Sequence, residues 1–294
     1  MSLKSILVVG AGGAVGLEIV RALCARGADV TATYRTPRNG AAAAIAAAGG
    51  RAVRLDLADR DAAQMAIEQA GGVIFTPILT VSAPAAALLR PGQAAVFFSS
   101  NNVAVDPQAE VYAALLAAEK RVAAAAPQAA ILRPTMIYGY PGDGNLSRLM
   151  AAMRRWPATP LPGDGRGLQQ PVYFRDLARA AVDVLFDAGR HGAICAVAGP
   201  QAVSARDLYE AAAIAAGAPK RFVPIPVKTA AAALGALERA GMRLPVKAAQ
   251  LRRSLDDKTP RGEVILTETL LAAGLSALAA AMDGGALDAQ PAAS

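Results

Sequence analysis

The chain has few of the residues on which several classes of protein depend. Its 294 residues include two cysteines, one histidine and one tryptophan, and aromatics make up 4% of the whole. Cys24, Cys195 and His191 form no metal-binding set, so a zinc site is not expected and no other metal is indicated. Both cysteines read as buried structural thiols. His191, in the turn-like stretch 188–192, reads as a surface residue rather than a catalyst. No apolar run reaches the roughly 20 residues of a membrane span, and the chain enters its first strand without a charged leader and cleavage site. A soluble cytoplasmic protein with no membrane span is therefore expected.

What is abundant is small and aliphatic. A hydrophobic fraction of 54% with so few aromatics means a core of Ala, Val, Leu and Ile, which suits close packing of helices on a sheet. The formal charge of +7 attracts phosphate in any form. Lys and Arg are scattered, apart from pairs such as Arg154-Arg155 and Arg252-Arg253, which counts against nucleic acid or another macromolecule; a phosphorylated cofactor fits the basic balance equally well, and composition does not separate them.

The run Leu7-Val8-Val9-Gly10-Ala11-Gly12-Gly13-Ala14-Val15-Gly16 joins an apolar strand to a helix through glycines spaced as GxxGxxG. Gly10 and Gly13 let the main chain turn sharply and approach a pyrophosphate, and Gly16 permits close packing of the helix. The helix N-terminus offers unpaired N–H groups and a positive dipole end to the anion. Ile6–Val9 reads as a buried strand, Leu17–Arg26 as a helix and Ala28–Tyr34 as a second strand, which is the context this motif requires. Strands are expected near 5–9, 29–34, 51–55, 72–75, 94–98 and 129–133, with alanine-rich helices between them. That rhythm gives a parallel sheet covered on both faces, with ligands at the carboxyl ends of its strands.

After Pro134, glycines and prolines interrupt the pattern around a short helix near 146–154. A helix near 176–186 and a strand near 193–198 read as a return to the sheet. The last third reads as mostly helical, opening with Ser204 as cap of a helix over 205–216. The expected organisation is a dinucleotide-binding core over 1–134, a substrate-side excursion over 135–168, a return to the core over 169–200, a helical substrate-side region over 201–283 and a flexible tail over 284–294.

Four segments resemble the short-chain dehydrogenase/reductase superfamily, in particular its extended or atypical branch of NAD(P)-dependent epimerase/dehydratase-like proteins. They are Gly10–Gly16, Leu55-Asp56-Leu57, Ile131-Leu132-Arg133-Pro134-Thr135-Met136-Ile137-Tyr138-Gly139 and Gln170-Pro171-Val172-Tyr173-Phe174-Arg175-Asp176-Leu177-Ala178. A fainter similarity runs over 251–258. The resemblance implies an α/β fold with a doubly wound parallel sheet, a Rossmann fold, and a smaller, mostly helical C-terminal substrate-side region. It implies a cofactor site of Gly10, Gly12, Gly13, Ala14, Val15 and Gly16, then Asp56 and Leu57 after strand three, Thr76 and Pro77 after strand four, Ser99 after strand five and Pro134 ending strand six. Where the family places an acid that favours NAD, this chain has Arg35, followed by Arg38, and guanidiniums that clamp a phosphate favour NADP over NAD. Asp56 resembles the carboxylate near the adenine; it also reads as the N-cap of the next helix.

The resemblance fails at one point. The superfamily pairs a Ser or Thr after strand five with Tyr-x-x-x-Lys, in which the lysine lowers the tyrosine's pKa. Here Tyr112 is followed four residues on by Leu116, and Lys120 stands eight residues on, about 12 Å along and 80° around a helix. Ser100, Asn101, Tyr112 and Tyr138, with Tyr173, remain as candidate catalytic residues. Two main readings follow: an NADP(H)-binding oxidoreductase or epimerase-like enzyme that draws its acid from elsewhere, and a catalytically silent NADP-binding sensor or assembly protein. A small-molecule substrate is expected. A nucleotide sugar held by Arg148, Arg166 or Arg175 is one candidate, and a less polar ketone, lactone or quinone against residues 76–81, Met136, Met150 and Met153 is another. A homodimer through the helices after strands four and five fits the alanine-rich stretch 113–126.

Overall fold

The computed structural model describes residues 4–37, 40–239 and 256–284. Six strands alternate with helices in its first half: Ser5–Val9 (β1), Asp29–Tyr34 (β2), Arg51–Arg54 (β3), Gly72–Phe75 (β4), Ala94–Phe98 (β5) and Ala130–Pro134 (β6). Eight more follow: Ile137–Tyr138 (β7), Thr159–Pro162 (β8), Leu168–Gln169 (β9), Val172–Tyr173 (β10), Ile194–Ala198 (β11), Val203–Ser204 (β12), Phe222–Ile225 (β13) and Val264–Leu266 (β14). The main sheet has eight strands in the order β14-β11-β6-β5-β4-β1-β2-β3, and every pairing in it is parallel. The chain winds outward from β1 to β3 and then returns to β4 on the other side of β1. A switch point therefore lies between β1 and β4, where the carboxyl ends of two neighbouring strands open a crevice.

Alternation along each strand divides the core into two layers. Ile6 and Val8 face one side and pack with the helices Ala14–Ala25 and Phe174–Phe186; Leu7 and Val9 face the other, with the helices Arg60–Glu68 and Glu110–Ala125. Phe75 stacks on Phe97 from the adjacent strand, with ring centroids 4.3 Å apart. Glu119 on the helix over β6 forms a bidentate ion pair with Arg133 of that strand, and the carboxylate is buried. Cys195 is buried and Cys24 half-buried, and desolvation holds both thiols above their ordinary pKa.

A third cluster joins the helices Leu146–Arg155, Ala205–Ala216 and Leu271–Gly284 around Tyr138, Met150, Met153, Leu208 and Leu275. Ser204 caps the second of these helices by accepting from the Asp207 N–H at 3.1 Å. The last third is less purely helical than its sequence suggests. β14 adds an eighth strand to the sheet edge beside β11, and β13 pairs with β8. No helix among the described residues is long and apolar enough to cross a membrane.

Candidate functional site

The glycine turn lies at the switch point, and each glycine meets different surroundings. Gly10 has φ +76°, and a Cβ there would come within 2.9 Å of Pro77 and Thr76. Its N–H donates to Thr33 Oγ1 at 3.1 Å, the Ala11 N–H donates to Thr33 O, and the Thr76 hydroxyl bonds the Val9 and Gly10 carbonyls. These bonds tie the turn to β2 and β4. A Cβ on Gly16 would stand 2.7 Å from Ala11 Cα, so the close approach is between the helix and the turn itself. Around Gly13 nothing lies within 4 Å of such a Cβ. Among the described residues no side chain caps the helix Ala14–Ala25, and none of their carboxylates or hydroxyls engages its first N–H groups. The backbone thus leaves a cradle open at Gly12–Val15, as a pyrophosphate requires.

Arg35 is exposed just beyond β2, and Arg38 lies outside the described residues. Asp56 is exposed and accepts from the Ala58 N–H at 3.0 Å, forming a turn. The cap of the following helix is Asp59, which accepts from the Ala62 N–H. Leu57 is half-buried nearby.

Beyond β5 and β6 a cavity of about 350 Å³ opens, walled by Ser99, Ser100, Asn101, Asn102, Pro134, Thr135, Met136, Ile137, Tyr140, Asp143, Asn145, Gln169, Gln170 and Lys258. Of these lining residues, Ser99 and Asn101 have side-chain atoms, Oγ and Oδ1, that are buried with no hydrogen-bond partner among the described residues. Ser100 Oγ accepts from the Asn102 N–H at 3.3 Å, and Asn102 Nδ2 donates to the Tyr112 hydroxyl at 2.8 Å. Tyr112 is therefore one hydrogen bond behind the wall, not in it. Asp143 is engaged within its own loop, accepting from the N–H groups of Gly139, Asn145 and Ser147 and from the Ser147 hydroxyl.

Several side chains expected at the cavity lie elsewhere. Tyr138 is 1% exposed within the helical cluster, its hydroxyl against Gly274, where a Cβ would stand 2.2 Å away. Burial, then Tyr173 and Asp176, drives that hydroxyl's pKa far up, so it remains a buried neutral group away from the cavity. Tyr173 packs edge-on against Tyr138 and Phe174. Met150 and Met153 are core residues, and of the three expected methionines Met136 alone lines the cavity. Arg148 is exposed; Arg166 pairs with Asp164 and Arg175 with Glu18. The cation in the wall is Lys258, and the tyrosine in the wall is Tyr140. Neither was singled out from sequence as a site residue, although Lys258 falls in the segment of faint family similarity and Tyr140 stands directly after the quoted Tyr138-Gly139.

Residues 2–127 match the NmrA-like family. The match covers β1 to β5 and the helix before β6, so it includes the glycine turn and ends short of the cavity's far wall. The solved structures that resemble the whole chain share its fold at low identity. A nucleoside-diphosphate-sugar epimerase from Pseudomonas aeruginosa is 18% identical, covering 96% of this chain and 98% of its own, with a TM-score of 0.71. An NADPH-dependent quinone oxidoreductase from Escherichia coli is 21% identical over 92% and 98%, with a TM-score of 0.67. A UDP-glucuronic acid 4-epimerase from Bacillus cereus, solved with UDP-glucuronic acid and NAD, is 15% identical over 95% and 99%, with a TM-score of 0.68. No curated protein matches the chain. The family match is confined to residues 2–127, and over the whole chain these epimerases and the oxidoreductase share its fold.

Proposed function

We propose that the chain is an NADP(H)-dependent oxidoreductase or epimerase-like enzyme acting on a small carbonyl or hydroxyl compound in the cavity beyond β5 and β6. The observation that carries this reading is the pairing of an open glycine cradle at the switch point with a polar cavity at the carboxyl ends of the next strands. The amides of Gly12, Gly13, Ala14 and Val15 would hold the pyrophosphate, Arg35 and Arg38 the 2′-phosphate, and Asp56 and Leu57 the adenosine. Thr76 and Pro77 shape the turn, and Ser99 and Pro134, which line the cavity, would flank the nicotinamide end. Bound there, NADP(H) would supply the hydride donor or acceptor.

The chain's own contribution is the proton and the orientation. Ser100 Oγ already accepts from the Asn102 N–H, so its own hydrogen is directed elsewhere and can reach a substrate oxygen. Burial and then Asp143 hold the Tyr140 hydroxyl above its ordinary pKa, which keeps it protonated and fits a general acid rather than a base. Tyr112 supports Asn102 from behind. A silent, cofactor-binding role is the second reading, favoured by Leu116 at the place of the usual lysine.

Titration of the purified protein with NADPH, followed by nucleotide sugars, quinones and small ketones, separates the two. Enhanced cofactor fluorescence with substrate-dependent oxidation supports the enzyme; tight binding without turnover supports the sensor. Absence of NADPH binding overturns both.

A further inference from the structure

The helix Phe174–Phe186 begins beside the glycine cradle. Ala14 and Val15, the first residues of the helix Ala14–Ala25, pack against the cluster that contains Tyr173 and Phe174. Arg175 comes next in the chain. Its Nε lies 3.3 Å from Glu18 Oε1, and Glu18 follows Ala14 by four residues, which is one turn, about 6 Å along the axis, on the same helix face. On its other side the guanidinium carbon stands 5.6 Å from the centroid of the Phe174 ring, and that ring meets Tyr140 of the cavity wall edge-on at 5.2 Å. Arg175 therefore stands at the rim between cradle and cavity, the path of a dinucleotide that spans both.

Its hold on Glu18 is loose. Arg21 Nη1 donates to the same Oε1 at 2.7 Å, whereas the Arg175 guanidinium makes no hydrogen bond among the described residues. The Arg175 side chain is 54% exposed, so the ion pair contributes little and its release costs little. Glu18 keeps Arg21 when Arg175 leaves. A guanidinium is a planar fork whose two terminal nitrogens fit two phosphate oxygens, and a phosphate offers it charge-assisted hydrogen bonds in place of a bare ion pair. The N–H groups at the start of a helix bring partial charge to an anion, and an arginine at the rim adds a full one.

We propose that Arg175 exchanges Glu18 for a pyrophosphate oxygen when a dinucleotide binds, and so contributes affinity to NADPH and NADH alike. This rests on the cofactor site proposed above. A phosphate carried by the substrate is the other source of the same chemistry, and the test separates the two.

Dinucleotide affinity is read by nicotinamide fluorescence, and the affinities of 2′-AMP and UDP-glucose by calorimetry, in the wild type, Arg175→Ala, Arg175→Lys, Glu18→Gln and the double variant Glu18→Gln/Arg175→Ala. Arg175→Ala is expected to weaken NADPH and NADH by the same factor, roughly tenfold, as for loss of a hydrogen bond to a charged group. Binding of 2′-AMP, which has no pyrophosphate, should not change, and neither should the melting temperature. Arg175→Lys should recover part of the loss, because it keeps the charge without the fork. Glu18→Gln should tighten both dinucleotides, and the double variant should bind as weakly as Arg175→Ala. Wild-type NADPH and NADH affinities in Arg175→Ala overturn the proposal and leave the cofactor site standing. Recovery of wild-type affinity in the double variant also overturns it, since Arg175 would then only neutralise Glu18. A loss confined to UDP-glucose overturns it and assigns the arginine to a substrate phosphate. A wild type that binds neither dinucleotide overturns the cofactor site and this role together.

Discussion

Alanine at Gly13 and alanine at Gly16 should separate cofactor binding from stability. Gly13 has φ −93° and ψ 166°, which any residue adopts, and its added Cβ meets nothing within 4 Å. Alanine there restricts the unfolded chain and is expected to stabilise by about 0.4–1 kcal/mol. The same methyl stands on the open side of the cradle, where it would displace a phosphate oxygen of the proposed cofactor from a main-chain N–H. A charge-assisted hydrogen bond is worth about 1.5–3 kcal/mol, so the NADPH dissociation constant should rise by roughly 10- to 150-fold. At Gly16 the balance reverses. Its Cβ would lie 2.7 Å from Ala11 Cα and 3.0 Å from the Ala11 carbonyl, all backbone, so the helix must back away. Overpacking costs about 1–3 kcal/mol and the helix-propensity gain returns about 1 kcal/mol, which leaves a net loss of up to about 2 kcal/mol. Thermal unfolding and NADPH fluorescence titration on the same samples read both effects. Wild-type NADPH affinity in Gly13→Ala would refute the placement of the pyrophosphate, and a gain in stability in Gly16→Ala would refute the close contact with Ala11.

Three further outcomes are expected. Arg35→Ala should weaken NADPH binding by about tenfold and leave NADH binding unchanged, since only NADPH carries the 2′-phosphate; an unaltered NADPH-to-NADH affinity ratio removes Arg35 from the site. Glu119→Ala strands the Arg133 guanidinium beneath the helix over β6 and should cost about 3–5 kcal/mol in urea unfolding. Combining Glu119→Leu with Arg133→Met should recover most of that, and a single-variant loss below about 1 kcal/mol would contradict the burial. Asp176, buried at the start of the helix Phe174–Phe186, has its carboxyl held below the ordinary range: burial raises its pKa, but bonds from the Thr269 N–H and hydroxyl and from Arg179 outweigh that. A carboxyl depressed in the folded state contributes stability above its unfolded value of 3.8, and that contribution disappears as the pH falls through its folded value. Stability should therefore decline below about pH 4, and the decline should flatten in Asp176→Asn; identical pH profiles would count against this linkage.

Local sequence carried much of the fold because its signals are local. The strands near 5–9, 29–34, 72–75 and 94–98 coincide with β1, β2, β4 and β5, since each is a short apolar run between turn residues and needs no distant partner to be recognised. β14 escaped notice because three residues, Val264–Leu266, lie half-exposed at a sheet edge and carry almost no pattern. The tyrosines show the same limit more sharply. Tyr138 and Tyr140 are two residues apart, yet Gly139 between them has φ +115° and is pressed against Tyr173, so the chain turns there; Tyr138 enters the helical core and Tyr140 the cavity wall.

The glycine spacing, the basic residue after strand two and the missing lysine four residues beyond Tyr112 were complete in the sequence, because backbone conformation, charge and helical period act over a few residues. The cavity was not. Ser99, Asn101, Gln169 and Lys258 are separated by up to 159 positions and meet only because parallel strands bring their carboxyl ends together and the segment 256–261 returns to them. Which way the Asn101 carboxamide turns was decided by the carbonyls of Lys258 and Thr259, which no spacing near Asn101 contains.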